Sequence, residues 1–156
     1  MAEELRLYSF QNFYLEGIHA GIQTAHSIAE MSLQTYEQKH KQYRDWALDH
    51  KTIVILNGGR EKDLYDFMDF LESDDNTFIW DYFREGKDDL NEALTNVSII
   101  IPDRIFNYKK NMPTRFTRPW YQLWTKTESP DYIRYVRKFN SFERDNKKTT
   151  FLLVFK

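Results

Sequence analysis

The chain of 156 residues contains no cysteine, and only five glycines and four prolines. Without cysteine it can form no disulfide framework and has no thiol nucleophile. It also lacks an apolar run of membrane-spanning length, and its first residues, Met1 to Leu5, are acidic rather than basic and apolar. We therefore expect a cytoplasmic protein that makes no contact with membranes.

Common chemical signatures are absent as well. The sequence has no glycine-rich dinucleotide motif, no phosphate-binding loop, no Gly-x-Ser-x-Gly elbow and no His-Glu-x-x-His zinc motif. His19, Gln23 and His26 are the best candidates for metal ligands, but neither a cysteine nor a carboxylate of fixed spacing accompanies them. We expect no metal and no cofactor.

The order of apolar patterns predicts an α/β protein, in which a mixed β-sheet is flanked by helices. No linker divides the chain, so one domain is expected, with a core of residues 1–103 and a C-terminal helix–strand extension of residues 104–156. The predicted strands are Leu5 to Leu15, Thr52 to Leu56, Phe78 to Phe83, Val97 to Ile101 and Thr149 to Phe155. The predicted helices are Ile18 to Tyr36, Gln38 to His50, Arg60 to Leu71 and Ser129 to Phe139.

Two of these segments have especially clear patterns. Thr52 to Leu56 is apolar without alternation, so we expect a strand inside the sheet with Ile53, Val54 and Ile55 all buried. Arg60 to Leu71 repeats apolar residues at helical spacing, which predicts an amphipathic helix.

The segment from Gly17 to Ser27 is the most informative one for function. Read as a helix, it has a polar stripe and an apolar stripe on opposite sides. The polar stripe consists of Glu16, His19, Gln23, His26 and Glu30, and the apolar stripe of Ile18, Ile22, Ala25 and Ala29. Its glycines lie near a strand-to-helix junction, where exposed backbone N–H groups can face an anion. The first βα turn is therefore a candidate site, although Gln and His on a solvated helix face are equally ordinary.

A family resemblance rests on the same segment. Gln23, Ala25 and His26, followed by the small Ser27, resemble the first-helix signature of type-2 peptidyl-tRNA hydrolases, Lys-Gly-Lys-x-Ala-Ala-Gln-x-x-His-Ala. The resemblance covers roughly the first two thirds of the chain, where the order of strands and helices also fits. It implies a fold like that of these hydrolases and, for an active member, hydrolysis of the ester at the tRNA 3′ end.

The catalytic residues of that family are only partly matched. Its catalytic lysine is replaced by His19, with Gly17 and Ile18 before it, and Asp81 and Thr95 are the nearest counterparts of its Asp and Thr. A histidine can act as an acid or base near neutral pH, but it keeps no permanent positive charge for a tRNA phosphate or a developing oxyanion. The family's activity is therefore not the preferred hypothesis; in an active enzyme His19, Asp81 and Thr95 would be the catalytic set.

Charge is divided between two blocks of the sequence. From Arg60 to Asp103 there are four basic and thirteen acidic residues, whereas from Arg104 to Lys138 there are nine basic and two acidic. Aromatic residues interleave with the basic residues of the second block and supply stacking planes beside charges that attract phosphate. This block predicts an anion-binding surface. The alternative is that the acidic and basic blocks pair with each other in the fold.

Three functions fit these features. The preferred one is a non-catalytic binding protein for a nucleotide-like, phosphate-bearing ligand. In composition the chain is similar to accessory proteins of large tailed phages, where such a binder would sequester a host nucleotide signal. The second function is a peptidyl-tRNA hydrolase, and the third is an interaction module that forms a homo-oligomer or binds a partner. The ligand-binding residues of the preferred hypothesis are His19, Gln23, His26, Arg115, Arg118, Trp120 and Trp124.

Overall fold

The computed structural model describes residues 4–34, 37–72, 76–107 and 150–154. Its strands are β1 (Leu5–Gln11), β2 (Thr52–Asn57), β3 (Trp80–Arg84), β4 (Leu94–Pro102) and β5 (Thr150–Val154). Its helices are α1 (Gly17–Ser32), α2 (Glu37–Asp45), α3 (Glu61–Leu71), α4 (Lys87–Leu90) and α5 (Asp103–Asn107). A π-helical segment, Trp46–His50, continues α2 directly.

The five strands form one sheet in the order β3-β4-β1-β2-β5. β1 and β2 are parallel and are connected through α1 and α2, whereas the other three pairings are antiparallel. The predicted mixed sheet with helices is confirmed. The last predicted strand is found within a residue at each end, and it pairs with β2.

Each face of the sheet has its own core. On one face α3 buries Leu64, Phe67, Met68 and Leu71, as its spacing predicts. Among the described residues the core on the other face is smaller, with five buried side chains that include Met31 of α1 and Trp46. The two faces therefore differ in how much apolar surface the helices cover.

β2 lies inside the sheet, between β1 and β5, as predicted. Val54 and Ile55 are buried, but Ile53 is only half-buried, so the prediction of a fully buried run is wrong at this residue. Ile53 packs at the margin of the smaller core, against its buried side chains.

β1 ends four residues before its predicted end. The N–H of Asn12 donates to the carbonyl of Thr95 at 2.8 Å, and the N–H of Leu15 closes a turn on the carbonyl of Asn12 at 2.9 Å. This turn places the rings of Phe13 and Tyr14 at the surface, 56% and 44% exposed. The connection from β1 to α1 thus presents two aromatic rings to solvent.

Some predictions fall on parts of the chain outside the described residues. These are the helix from Ser129 to Phe139 and the ligand-binding residues Arg115, Arg118, Trp120 and Trp124. Among the helices of the described ranges, none has the length and apolar character needed to cross a membrane.

Candidate ligand-binding site

α1 faces the sheet with small and polar residues. Its buried residues are Ala20, Gln23, Thr24, Ser27 and Met31. Ile18 and Ile22, from the apolar stripe of the sequence, are instead 75% and 44% exposed. The helix therefore packs through a third face, which lies between the two stripes that the spacing predicts.

The reason for this packing lies in the sheet, which presents polar side chains beneath α1. The hydroxyls of Ser9 and Thr24 lie 2.9 Å apart, and those of Ser27 and Ser98 lie 2.7 Å apart. Asn96 also donates to Ser9. Because these hydroxyl groups are hydrogen-bonded to one another and to Asn96, burying them costs little. We call this set the polar seam: Ser9, Gln11, Thr24, Ser27, Asn96 and Ser98.

The hydroxyl hydrogen of Thr24 favours one orientation of the Gln11 amide. Thr24 has a single hydroxyl hydrogen and donates it to the carbonyl of Ala20 at 2.9 Å. Its oxygen must therefore accept from its neighbours, and Gln11 Nε2 donates to it at 2.8 Å and to Ser9 Oγ at 2.8 Å. Turning the amide over would set Gln11 Oε1 against the Thr24 hydroxyl, which has no hydrogen left to give, and would leave the Ser9 hydroxyl as its one donor in the seam.

This orientation leaves one strong acceptor unused. Gln11 is 2% exposed, and its Oε1 has no hydrogen-bond partner among the described residues. The next residue repeats the pattern, because Asn12 is 2% exposed and its Oδ1 also lacks a partner, although its Nδ2 donates to the carbonyl of Leu94 at 3.1 Å. A buried acceptor without a partner costs about 1–3 kcal/mol.

A cavity of about 260 Å³ borders Gln11 where β1 and β2 end and α1 begins. Gln11 and Asn57 are the last residues of these two strands and lie opposite each other in the parallel ladder. The lining residues are Gln11, Phe13, Leu15, Glu16, Gly17, Ala20, Ile55, Leu56 and Asn57. In open α/β sheets, the carboxyl ends of parallel strands are the usual place for a ligand.

The start of α1 leaves the mouth of this cavity open. Gly17 has φ +54°, which favours glycine, and a Cβ built there would meet no atom within 4 Å. The N–H of His19 is already bonded to the carbonyl of Glu16 at 3.2 Å. The first-turn N–H groups of Gly17 and Ile18 therefore remain the natural donors for a ligand at this helix end.

The cavity and its surroundings are acidic. Glu16 is the one charged residue among the described residues that line it. Close by, burial raises the pKa of the Tyr14 hydroxyl, and the carboxylates of Glu61 and Glu85 raise it further. The described residues thus supply acceptors and negative charge at this end of the sheet, but no lining lysine or arginine.

Thr95 and Gln23, two residues predicted for the site, lie together beside the seam. β4 has an irregularity at Thr95, since Phe83 pairs with Asn96 and Arg84 pairs with Leu94. The extra residue turns its side chain toward α1, as bulges do. Thr95 Oγ1 lies 3.1 Å from Gln23 Oε1 and 3.1 Å from the carbonyl of Phe83.

Gln23 is held from both ends of its amide. Its oxygen accepts from Thr95, and its Nε2 donates to the carboxylate of Glu85. With an exposed fraction of 6% it acts as a bridge between α1 and the strands. This geometry favours a structural role for Gln23 over direct contact with a ligand.

The remaining predicted residues of the core do not come together. His19 and His26 are exposed, and the ring of His26 stacks on Phe83 with a centroid distance of 4.2 Å. Asp81 accepts from Gln34 Nε2 at 2.9 Å, beyond the C-terminal end of α1. Because the 16 residues of α1 span about 24 Å, His19 and Asp81 lie near opposite ends of the helix.

Sequence reasoning missed Gln11, Phe13 and Asn57 as cavity residues. For Asn57 the usable signal is position, because it is the first polar residue after the apolar run from Ile53 to Leu56. Gln11 follows Arg6 and Ser9 in β1, so its position gives no comparable signal. The turn expected at Asn57 is present, since its Oδ1 accepts from the N–H of Gly59 at 2.8 Å. No group of three or more His, Asp or Glu side chains able to hold a metal ion forms within the described ranges.

Comparisons of this chain with protein-family models, with curated proteins and with solved structures find no match.

Proposed function

We propose that the chain is a non-catalytic binding protein for a nucleotide-like ligand, which enters the cavity between the ends of β1 and β2 and the start of α1. The observation that carries this proposal is the place of the cavity, at the carboxyl ends of the one parallel strand pair among the described strands. Ligand sites of open α/β sheets concentrate there. The cavity also coincides with the first βα turn.

The size and lining of the cavity favour a flat ring. Its volume of about 260 Å³ lies just below the range of about 300–1,000 Å³ typical of drug-sized ligands, and therefore suits a single ring system with small substituents. Phe13, a lining residue, is 56% exposed and offers a face for stacking. The ring end of a nucleotide is thus the part that fits inside.

The phosphate belongs at the mouth, by the first-turn N–H groups of α1. Glu16 opposes an anion there, so the ring supplies more of the affinity than the phosphate does. The sequence predicts Arg115 and Arg118, which lie outside the described residues, as the cationic partners of the phosphate.

Calorimetric titration of the full chain with AMP, GMP, CMP and UMP tests the proposal. We expect one of the four to bind, and Phe13→Ala to weaken its binding about tenfold because a stacking plane is lost. Leu33→Ala is the matched control, because Leu33 is 73% exposed but lies at the opposite end of α1. Failure of all four nucleotides to bind, or equal effects of the two variants, would contradict the proposal.

A second candidate function is supported by the exposed apolar surface beside the cavity. Ile18 and Ile22 lie one turn apart on α1, and Phe13 packs edge-to-face on Tyr14 with ring centroids 5.8 Å apart. Clustered exposed apolar residues of this kind favour an interaction module that forms a homo-oligomer or binds a partner. Sedimentation of the wild type against Ile18→Ser/Ile22→Ser tests it, with Ala25→Ser/Ala29→Ser as the control. A monomeric wild type would count against the homo-oligomer.

A further inference from the structure

We infer that the ring bound in the cavity carries a positive charge, as an N-methylated purine or pyrimidine does, and that Glu16 and Phe13 recognise this charge. The inference rests on the proposed function and names the class of nucleotide that the same cavity takes. It starts from one carboxylate. Glu16 lines the cavity, and within the described ranges its side chain neither caps α1 nor forms an ion pair.

The net charge at this end of the sheet is negative. Among the described residues that line the cavity, Glu16 is the only charged one. The N-terminal end of α1 opposes it with a partial positive charge, but this is equivalent to only about half a unit charge. Two further carboxylates lie close to the β1–α1 turn, because the pKa of the Tyr14 hydroxyl is raised by burial and then by Glu61 and Glu85. A positively charged ring is attracted by this excess of negative charge, whereas a neutral ring is not.

This attraction does not require the ligand to reach a buried atom. Glu16 is exposed, and the field of its carboxylate extends over a Debye length of about 8 Å at physiological salt. The cavity wall also includes the apolar residues Ile55 and Leu56, which are buried. Apolar walls beside a charge strengthen its field inside a cleft. The cavity therefore concentrates the effect of one exposed carboxylate.

Phe13 adds a second preference for the same charge. Its ring is 56% exposed, and the edge-to-face contact with Tyr14 covers at most one of its two faces. The face of an aromatic ring is negative and attracts a cation. A flat cationic ring on Phe13 thus gains stacking and cation–π attraction together, where a neutral ring gains stacking alone.

A positive ring also reduces the conflict between Glu16 and the phosphate at the mouth of the cavity. Glu16 repels the phosphate that the first-turn N–H groups of α1 would bind. A positive charge on the ring attracts the carboxylate and offsets this repulsion. The ligand as a whole is then complementary to an acidic cavity beside a helix N-terminus.

Three pairs of methylated nucleotides test the inference on the wild-type chain at about pH 6, where glutamate carboxylates are ionised. The pairs are 7-methyl-GMP and N2-methyl-GMP, 1-methyl-AMP and N6-methyl-AMP, and 3-methyl-CMP and 5-methyl-CMP. The members of a pair carry one methyl group at different positions, and only the first member has a positively charged ring. In at least one pair we expect the charged member to bind about tenfold more tightly by calorimetry.

Two results would overturn the inference. Binding without preference for the charged member in any pair does so and leaves the proposed function standing. Absence of binding by all six does so as well, and the four unmethylated nucleotides then decide the proposed function by themselves.

Glu16→Gln provides a second arm. Glutamine keeps the size of the side chain and removes its charge, so the preference for the charged member should fall by about threefold or more. Glu30→Gln is the matched control, because Glu30 is exposed on the same helix about 21 Å away, well beyond the Debye length, and should keep the preference. If Glu16→Gln keeps the full preference, Glu16 is not the recognising group and the inference is wrong.

Discussion

The hydroxyl of Thr95 lies 3.1 Å from the side-chain oxygen of Gln23, and it joins β4 to α1 across 72 residues of sequence. Both residues are buried, at 0% and 6% exposure. The contact exists because the irregularity in β4 turns Thr95 toward the helix. Its partner Gln23 in turn donates to Glu85, so one side chain connects α1 to β4 and to the residue that follows β3.

Thr95→Val should destabilise the protein by about 1–3 kcal/mol. Valine matches threonine in shape but cannot donate, so Gln23 Oε1 and the carbonyl of Phe83 would lose the one hydroxyl hydrogen that they share. The free energy of unfolding in urea measures the effect. Thr95→Ser keeps the hydroxyl and should lose less than Thr95→Val does. Equal stability of the valine variant and the wild type would show that the contact contributes nothing.

The sequence predicts the elements that are buried through apolar residues, but not the packing of α1, which is buried through polar residues. The apolar spacing of α3 and the unbroken run of β2 locate both elements to within a residue or two, because burial of apolar surface is the main force that favours folding. On α1 the same reasoning selects the wrong faces. Thr24 and Ser27 are buried because Ser9 and Ser98 meet them, and a pairing between distant residues leaves no signal in local spacing.

The cavity shows the same limit. Its position at the first βα turn follows from the order of strand and helix, which the sequence indicates. The hydrogen bonds of Gln11 do not follow, because they depend on Ser9 and on Thr24, thirteen residues away. An acceptor without a partner becomes visible only after every neighbouring donor has been assigned.

Peptidyl-tRNA should not be hydrolysed by the wild-type chain or by His19→Lys. His19 and Asp81 lie near opposite ends of α1, and the Thr95 hydroxyl is within hydrogen-bond distance of Gln23 and of the carbonyl of Phe83. These three side chains therefore cannot all act on one substrate bond. Release of the aminoacyl group from labelled peptidyl-tRNA is the measurement, with a known peptidyl-tRNA hydrolase as the positive control. Turnover by the wild type that Asp81→Asn reduces would instead favour the enzyme.

Tyr8 should make stability depend on alkaline pH. Burial raises the pKa of its hydroxyl, and the nearby carboxylate of Asp103 raises it further, so the protonated form is favoured in the folded state. Its contribution is fully present below the ordinary tyrosine pKa of 10.0 and is lost as the pH rises above that value. Urea unfolding between about pH 9 and 11.5 should therefore show a steep loss of stability, which is shallower in Tyr8→Phe. Tyr43→Phe should change the slope less, because Tyr43 is half-buried; an unchanged slope in Tyr8→Phe would refute the assignment.

Among the described strands, β3 lies at an edge of the sheet, and the direction of its main-chain groups is defined by its pairing with β4. The N–H of Ile100 donates to the carbonyl of Ile79 at 3.0 Å, which places Trp80 at a position where its own main-chain groups point away from β4. The main-chain groups of Tyr82, two residues further along the strand, also point away from β4. Unpaired groups on an exposed edge are a template for pairing with another chain.

Asp81 and Gln34 cap this edge, which predicts the effect of removing them. Gln34 Nε2 donates to the carbonyl of Trp80 at 2.5 Å, and Asp81 Oδ1 accepts from the N–H of Tyr82 at 2.9 Å. Gln34→Ala/Asp81→Ala should free both main-chain groups and promote self-association through β3, because a second strand can then satisfy them. Sedimentation velocity over a concentration series measures this, with the exposed Glu30→Ala as the control. If the double variant sediments like the wild type at every concentration, the two side chains do not protect the edge.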